Sequence, residues 1–554
     1  MTRQWLRCAC RDLNLMALAG IAICLCARAS FAWSPTVAGL PQGGMGTTTA
    51  TVELTPLPTP TPTCSCSAAC RCSSADQPYG VGAVRPNPES AAELHRWKGF
   101  ELEASSTSSS TDVEWEDPSL DDFDQSCPQG EAVPPTATPL PGGSWNLIAL
   151  HAREAWGSLG WPNLPLTQRR VYVAVIDTGV DVSHPDLQQR IAPWQQSFAD
   201  LVPSTDVSAD SAHGTAMASI IAATGDNGTV GIDGIMWGAQ IVPCKVGGGS
   251  NGTLEKALRC LEWLEDLIDR EQVRIAAINF SFGSECCDCD VERAIARLRD
   301  RGVLVVASAG NGRKNSDAPG GCPFYPASYP LSNVVAVTGS DRYGNVLFRY
   351  GKRRVHVAAP GVQIPVLTPG GGRSLMPGGS SPAAAHATGV VALLHAQDPT
   401  RSWKQVRNLL LSSGPRVQCG SQPECALVSG RRVQAWGSDG LGALSCSNQV
   451  VVRRLLPVED KIVRQPGKAV VLRVLSIECA LPRVLPPVPV RQASPPGGVI
   501  QELVFRDDGV SPDEVADDGE FHAVWTVPAP PGRKYRLTVG EERLEIVVVP
   551  TSQT

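Results

Sequence analysis

VYVAVIDTGVDVSHPDL (residues 171–187) decides the fold. Its first six residues are apolar or aromatic without a break, as in a strand buried on both faces, not the alternating pattern of a half-exposed one. The run stops at Asp177, followed by Thr178–Gly179, so an acid stands where a rigid strand gives way to a turn. The same texture returns in QIVPCKV (240–246), IAAINFSFG (275–283), GVLVVASAG (302–310) and NVVAVTGS (333–340). TLEKALRCLEWLEDLIDR (253–270) and VERAIARLRDRG (291–302) lie between these runs and carry helical periodicity. Strand, helix and strand in repetition predict an α/β domain with a parallel sheet covered by helices, with functional groups gathered where the strands end.

Outward from this block the composition changes on both sides. Residues 33–143 carry TPLPTPTPT (55–63), SSTSSSTD (105–112) and seven acids between Asp112 and Asp124. They read as a low-complexity linker, disordered, with a propeptide as the other reading. Residues 1–32 read as a secretory signal: Arg3, Arg7 and Arg11 precede a short apolar run, and Ala29 and Ala32 suit cleavage. An uncleaved anchor is the alternative, but the run is shorter than the ~20 residues of a span. After about Ser447, VVLRVLSIE (470–478), GEFHAVWTV (519–527) and YRLTVGEERLEIVVV (535–549) alternate between Pro/Gly turns, predicting an all-β, sandwich-like domain over 447–554. The α/β block then spans 144–446.

The chain has 554 residues, 42% hydrophobic and 18% charged, enough for two to four domains with a real core. A net charge of −6 offers no footprint for nucleic acid, and no second apolar run supports a membrane span after signal cleavage. Of 19 cysteines, Cys8, Cys10, Cys24 and Cys26 lie in the signal, which leaves an odd number downstream. Export permits disulfides, the preferred reading for Cys64, Cys66, Cys70 and Cys72 over a metal knot, since no histidine is near. Cys286, Cys287 and Cys289 precede Cys322, and Cys419 with Cys425 are spaced for a local loop. Connectivity is not readable from these spacings.

Four residues carry hydrolytic chemistry. A serine hydroxyl needs a histidine to take its proton, an acid to orient that histidine, and donors for the oxyanion. Asp177 ends a strand; alone it is also an ordinary turn acid. His213 opens the small-residue helix of SAHGTAMASIIAA. Ser381 lies in GGSSPAAAHATGVVALL, after glycines and before a helix whose first turn tolerates Pro382. Ser380 competes with it, and either is a plausible plain helix cap. Asn311 follows VVASAGN, as an oxyanion donor or as a turn residue.

Taken together, VYVAVIDTGVDVSHPDL, HGTAMASIIAA, INFSFGS, VVASAGN, VHVAAPGV and GGSSPAAAHATGVVALL resemble, in order, the motifs of subtilisin-like serine proteases. WNLIALHAREAW (145–156) resembles the lead-in to that domain. The resemblance covers about 300 residues and implies a subtilisin-like fold and a serine endopeptidase. Asp177 matches the triad acid, His213 the base and Asn311 the oxyanion asparagine. The offsets to His386 and Gly389 select Ser381 as the nucleophile. Ser281 to Gly283 and Ser308 to Gly310 match the segments along which a peptide adds as a strand. Phe324, in CPFYPASYP (322–330), falls at the base of the primary specificity pocket, where a small residue is frequent, and implies a shallow pocket.

The departures are Ser380 for Thr, Pro382 for Met, Ala385 for Pro, Ala212 for Gly and Ala216 for His; none removes a catalytic group. Asp186 matches a carboxylate that holds structural calcium, and TGDNGTVGIDG (224–234) resembles the loop completing that site, with Asp226 and Asn227 competing. No cofactor is expected for the chemistry itself. The acids of FRDDGVSPDEVADDGEFHAVWTV (505–527) are read as turn caps, with a divalent ion as the rival. The sequence therefore predicts a secreted or extracytoplasmic protease acting on polypeptides. Its rivals are a non-catalytic binding protein on the same fold and a maturation protease dedicated to one partner.

Overall fold

The computed structural model describes residues 144–161, 170–225, 227, 231–247, 254–285, 287–318, 323–418, 426–529 and 531–550. The expected signal (1–32), the linker or propeptide (33–143), Cys64 to Cys72, Asp226, Cys286, Cys322, Cys419 and Cys425 lie outside these residues.

Two short helices lead in, α1 (Trp145–Leu150) and α2 (Ala152–Ser158). The central domain then alternates β1 (Val171–Asp177), β2 (Gln196–Ser197), α3 (Ala212–Ala222), β3 (Ala239–Lys245), α4 (Leu254–Glu271), β4 (Ile275–Phe280), α5 (Cys289–Asp300), β5 (Leu304–Ser308), β6 (Val334–Ser340) and β7 (Val357–Pro360). A hairpin follows, β8 (Val362–Thr368) with β9 (Gly372–Gly378), then α6 (Ser380–Gln397) and α7 (Trp403–Ser412). The seven strands form one parallel sheet in the order β2-β3-β1-β4-β5-β6-β7.

Both faces of the sheet are covered, which is why its strands read as unbroken apolar runs. Val173 and Val175 of β1 join the core against α3 and α6, while Ala174 and Ile176 join the core against α4 and α5. α4 and α5 are amphipathic, with Leu261, Leu264, Ala294 and Leu298 turned inward. α6 is different: every residue from Ser380 to Ala396 is buried. Its alanines and Gly389 permit that. A Cβ on Gly389 would lie 2.7 Å from Cβ of Ile235, so the helix approaches its neighbour as only glycine allows. A disulfide, Cys244–Cys260, ties β3 to α4.

The C-terminal part is all-β: β10 (Val450–Leu456), β11 (Lys461–Arg464), β12 (Ala469–Glu478), β13 (Leu481–Pro482), β14 (Val488–Ser494), β15 (Val499–Leu503), β16 (Glu520–Thr526), β17 (Lys534–Val539) and β18 (Glu542–Val548). One sheet joins β10, β12, β13 and β16; the other runs β11-β18-β17-β14-β15, and Leu472, Val490, Trp525 and Leu544 fill one core with residues of both. The aspartates of residues 505–527 cap turns. Asp507 accepts the N–H groups of Asp518 and Gly519, and Asp513 those of Gly509 and Val515.

This part does not hang on a linker. Val451, Leu455, Leu475 and Ile477 pack into the same apolar core as α6, and the disulfide Cys446–Cys479 crosses the junction. The Arg353 side chain is wholly buried between Asp460 (2.9 Å) and Glu542 (2.6 Å), and Arg407 of α7 reaches Glu520 at 3.1 Å. Arg407 and Glu520 are both buried, and removing one partner of such a pair typically costs about 3–5 kcal/mol, because the other charge is stranded.

Candidate active site

β1 and α3 bring Asp177 and His213 together through backbone that tolerates no bulk. Gly179 has φ +103, and a Cβ there would sit 2.6 Å from the Ser208 carbonyl oxygen. A Cβ on Gly214 would lie 2.1 Å from the Gly179 oxygen. Thr178 locks the corner: its Oγ1 accepts from the Ser211 hydroxyl (3.0 Å) and from the Gly214 N–H (3.1 Å). Ser211 caps α3 by accepting the His213 N–H.

The result is a 2.8 Å hydrogen bond between His213 Nδ1 and Asp177 Oδ1, with the acid buried and the imidazole partly open. The same oxygen accepts the Thr178 N–H at 2.7 Å. A carboxylate only accepts, so Nδ1 carries the proton and Nε2 presents its lone pair outward.

Ser381 is the second residue of α6, at the positive end of a long buried helix. Its Oγ donates to the Ser281 carbonyl at 2.8 Å, and Ser281 Oγ donates back to the Ser381 carbonyl at 3.1 Å. A hydroxyl has one proton, so transfer to His213 requires it to turn from Ser281. Ser380 is committed elsewhere. Its N–H and its Oγ both donate to Asn311 Oδ1, at 2.8 and 3.0 Å, while the Gly310 N–H donates to its Oγ at 3.0 Å. These bonds fix which end of the Asn311 amide is the acceptor, leaving Nδ2 as the donor end. Ser380 is thus bonded to Asn311 and Gly310, an arrangement consistent with the choice of Ser381 by its offsets to His386 and Gly389.

His386, five residues after Ser381, is fully buried. Its Nδ1 lies 2.6 Å from the Pro382 carbonyl and its Nε2 2.9 Å from Asn146 Nδ2, which ties α1 to the start of α6. Burial disfavours the imidazolium and lowers the pKa from its ordinary value to about 4. The His386 ring resonances should therefore stay flat in NMR titration from pH 7 to 5. A midpoint near 6.5 would contradict this environment. Any acid limb of activity in that window then belongs to another group.

The pocket segments lie where the sheet divides. The last β4–β5 pair is Phe280 with Ala307; beyond it, Ser281 to Gly283 and Ser308 to Gly310 diverge. Ser284 and Tyr325 exchange N–H···O bonds of 2.9 and 2.8 Å, which inserts Phe324 into the division. Its ring spans the gap. A Cβ on Gly283 would lie 2.6 Å from Phe324 Cε1, and a Cβ on Gly310 would lie 3.1 Å from Phe324 Cγ.

Asp186 is buried on the far side of α3. Oδ1 accepts from Asn227 Nδ2 at 2.5 Å, and Oδ2 from the Ile232 N–H at 2.9 Å. Burial is the largest influence on this carboxyl and raises its pKa against those hydrogen bonds. Gly231 makes room: a Cβ there would sit 1.8 Å from Oδ2. Asn227 reaches the carboxylate, and Asp226 lies outside the described residues. Among the described residues no group of three or more His, Cys, Asp or Glu side chains is placed to hold a metal ion.

Residues 168–429 match the sequence profile of the Subtilase family. Over 251 residues, 45% of this chain, the sequence is 34% identical to Subtilisin Savinase of Lederbergia lenta, covering 84% of that protein. The chain belongs to the subtilase family. M-protease of Shouchella clausii is 35% identical over 45% of this chain, and the matched stretch spans 60% of M-protease. Alkaline elastase YaB of Bacillus sp. is 32% identical over 284 residues, 50% of this chain and 68% of that protein. The strand order and flanking helices of this subtilase are the subtilisin fold, and the C-terminal β-sheets lie beyond the matched residues.

Proposed function

We propose that the chain is an exported serine endopeptidase with Asp177, His213 and Ser381 as its triad and Asn311 as oxyanion donor. The observation that carries the reading is the 2.8 Å Asp177–His213 bond at the start of α3, which packs on α6, whose N-terminus carries Ser381. His213 Nε2 takes the Ser381 proton as Oγ attacks the scissile carbonyl. Asp177 holds the imidazole in the tautomer that can accept, and steadies the imidazolium. The oxyanion meets Asn311 Nδ2 and the Ser381 N–H. His213 then protonates the leaving amine, and water hydrolyses the acyl-enzyme by the same route in reverse.

Substrate polypeptide lies as an added strand against Ser281 to Gly283 and Ser308 to Gly310. Phe324 makes the primary pocket shallow, which favours a small apolar residue before the cleaved bond. Export rests on the N-terminal segment. No helix among the described residues is long and apolar enough to cross a membrane. Labelling with a fluorescent fluorophosphonate tests the enzyme reading: the adduct should map to the peptide holding Ser381. Protein that stays unlabelled, including after removal of residues 33–143, would place the non-catalytic binding reading ahead.

A structural calcium ion at Asp186 belongs to the same proposal. Asp186 would supply the carboxylate and Asn227 the amide; both carboxylate oxygens here accept N–H donors, so a hard cation would displace the Asn227 Nδ2 contact and take that amide through its oxygen. Removing such an ion forfeits its binding energy, about 2.7 kcal/mol at a hundredfold excess over Kd. Excess EGTA should therefore lower Tm by about 3–5 °C, with calcium restoring it and magnesium not. An unchanged Tm would count against the site.

A further inference from the structure

The shallow pocket raises a mechanical question. Phe324 is half-buried on a loop, and a loop-borne ring can swing aside when a large side chain pushes against it. The structure shows what opposes that motion. The Arg349 guanidinium carbon lies 5.4 Å from the centroid of the Phe324 ring, over its face. Arg349 Nε would be 2.9 Å from a Cβ on Gly310, the same glycine that the ring abuts. The side chain is only 4% exposed, and Nη2 donates to Glu285 Oε1 at 2.7 Å. Glu285 follows Gly283 by two residues, on the opposite wall of the division, and Lys314 also reaches it, at 3.5 Å. Arg349 therefore stands behind the ring on one wall and is tied to the other. A planar cation can stack on an aromatic face and donate sideways to a carboxylate at once, which an ammonium cannot do.

We propose that the Arg349–Glu285 pair is a specificity-determining clamp that pins Phe324 across the pocket and restricts the enzyme to substrates with a small apolar residue such as Ala before the scissile bond. This rests on the protease reading above. Arg349 and Glu285 are positioning residues: they touch the ring, not the reacting atoms. With the clamp, the ring excludes large side chains by steric contact. Without it, the ring yields to them while small side chains bind as before.

The test compares kcat/KM for two peptide p-nitroanilides differing only in Ala or Phe before the anilide. Their ratio is taken on each enzyme preparation, so it is independent of the fraction folded. Phe324→Gly should raise the Phe/Ala ratio by at least tenfold, in the range a reshaped apolar pocket gives. Arg349→Met should raise it three- to tenfold, chiefly through a lower KM for the Phe substrate, and Arg349→Lys should not restore the original ratio. Glu285→Gln, at a more exposed position, should move it the same way and decides the matter if Arg349 variants cannot be recovered. In the Phe324→Gly background, Arg349→Met should change the ratio less than twofold. A shifted ratio in Phe324→Gly with none in Arg349→Met or Glu285→Gln would overturn the clamp but leave the pocket reading standing. An Arg349 effect that persists undiminished without Phe324 would also overturn it. If Phe324→Gly itself has no effect, the pocket reading fails first.

Discussion

Ser381→Ala should lower kcat about 10⁶-fold, the size found when the nucleophile of a concerted triad is removed, with little change in KM. Ser380→Ala should lower it only about tenfold. The contrast follows from what each hydroxyl touches. Ser381 is the one at the helix start facing the division of the sheet, and nothing else can form the acyl bond. Ser380 shares the orientation of Asn311 with its own backbone N–H, which the alanine variant keeps. Losing one neutral hydrogen bond costs about 1–1.5 kcal/mol, hence the tenfold figure. The Gly310 N–H would also lose its acceptor, so the variant should be measurably less stable. Active-site titration of both variants checks the assignment. Equal losses would mean the two serines had been given the wrong roles.

Asn311→Ala should cost about 10²–10³ in kcat at nearly constant KM, a magnitude carried over from subtilisin itself. The amide is held by Ser380 before any substrate arrives, so little reorganisation is needed when negative charge develops on the carbonyl. Its partial charge acts on the transition state more than on the bound ground state, which is why the loss should fall on kcat. Asn311→Asp, isosteric but anionic, should lose at least as much. Burst kinetics with an ester substrate would separate acylation from later steps. A variant that raised KM and spared kcat would mark Asn311 as a substrate-binding residue instead.

Much of this was legible before any coordinates. The five long apolar runs became strands with ends displaced by a few residues, because a parallel sheet covered on both faces needs no alternation. α3 and α6 announced themselves by small residues next to chemically useful ones. The hairpin Val362–Thr368 with Gly372–Gly378 did not. Its second strand is largely exposed, contains Pro377 and has no apolar face to betray it. Val450–Leu456, Lys461–Arg464 and Val488–Ser494 were missed for related reasons: charges interrupt the first two and a proline the third.

At the site, single residues were readable where a strand or helix end fixed them. Pairings across long stretches were not. Nothing at Arg349 marks a partner 64 residues earlier, and nothing at Asn146 marks His386. Of the two adjacent serines, the offsets to His386 and Gly389 pointed to Ser381, but nothing in the sequence showed that Ser380 bonds Asn311.

The junction at Cys446–Cys479 bears on how this subtilase could change over time. Strands of the C-terminal sheets complete a core that α6 begins, and the buried Arg353 of the matched part forms its ion pairs with Asp460 and Glu542, beyond residue 450. The peptidase part is therefore not portable. Recombination that transplanted residues 144–446 alone would deliver a catalytic apparatus with an open apolar flank and a stranded cation. The inheritable unit is the pair, and its two halves are expected to have diverged in step.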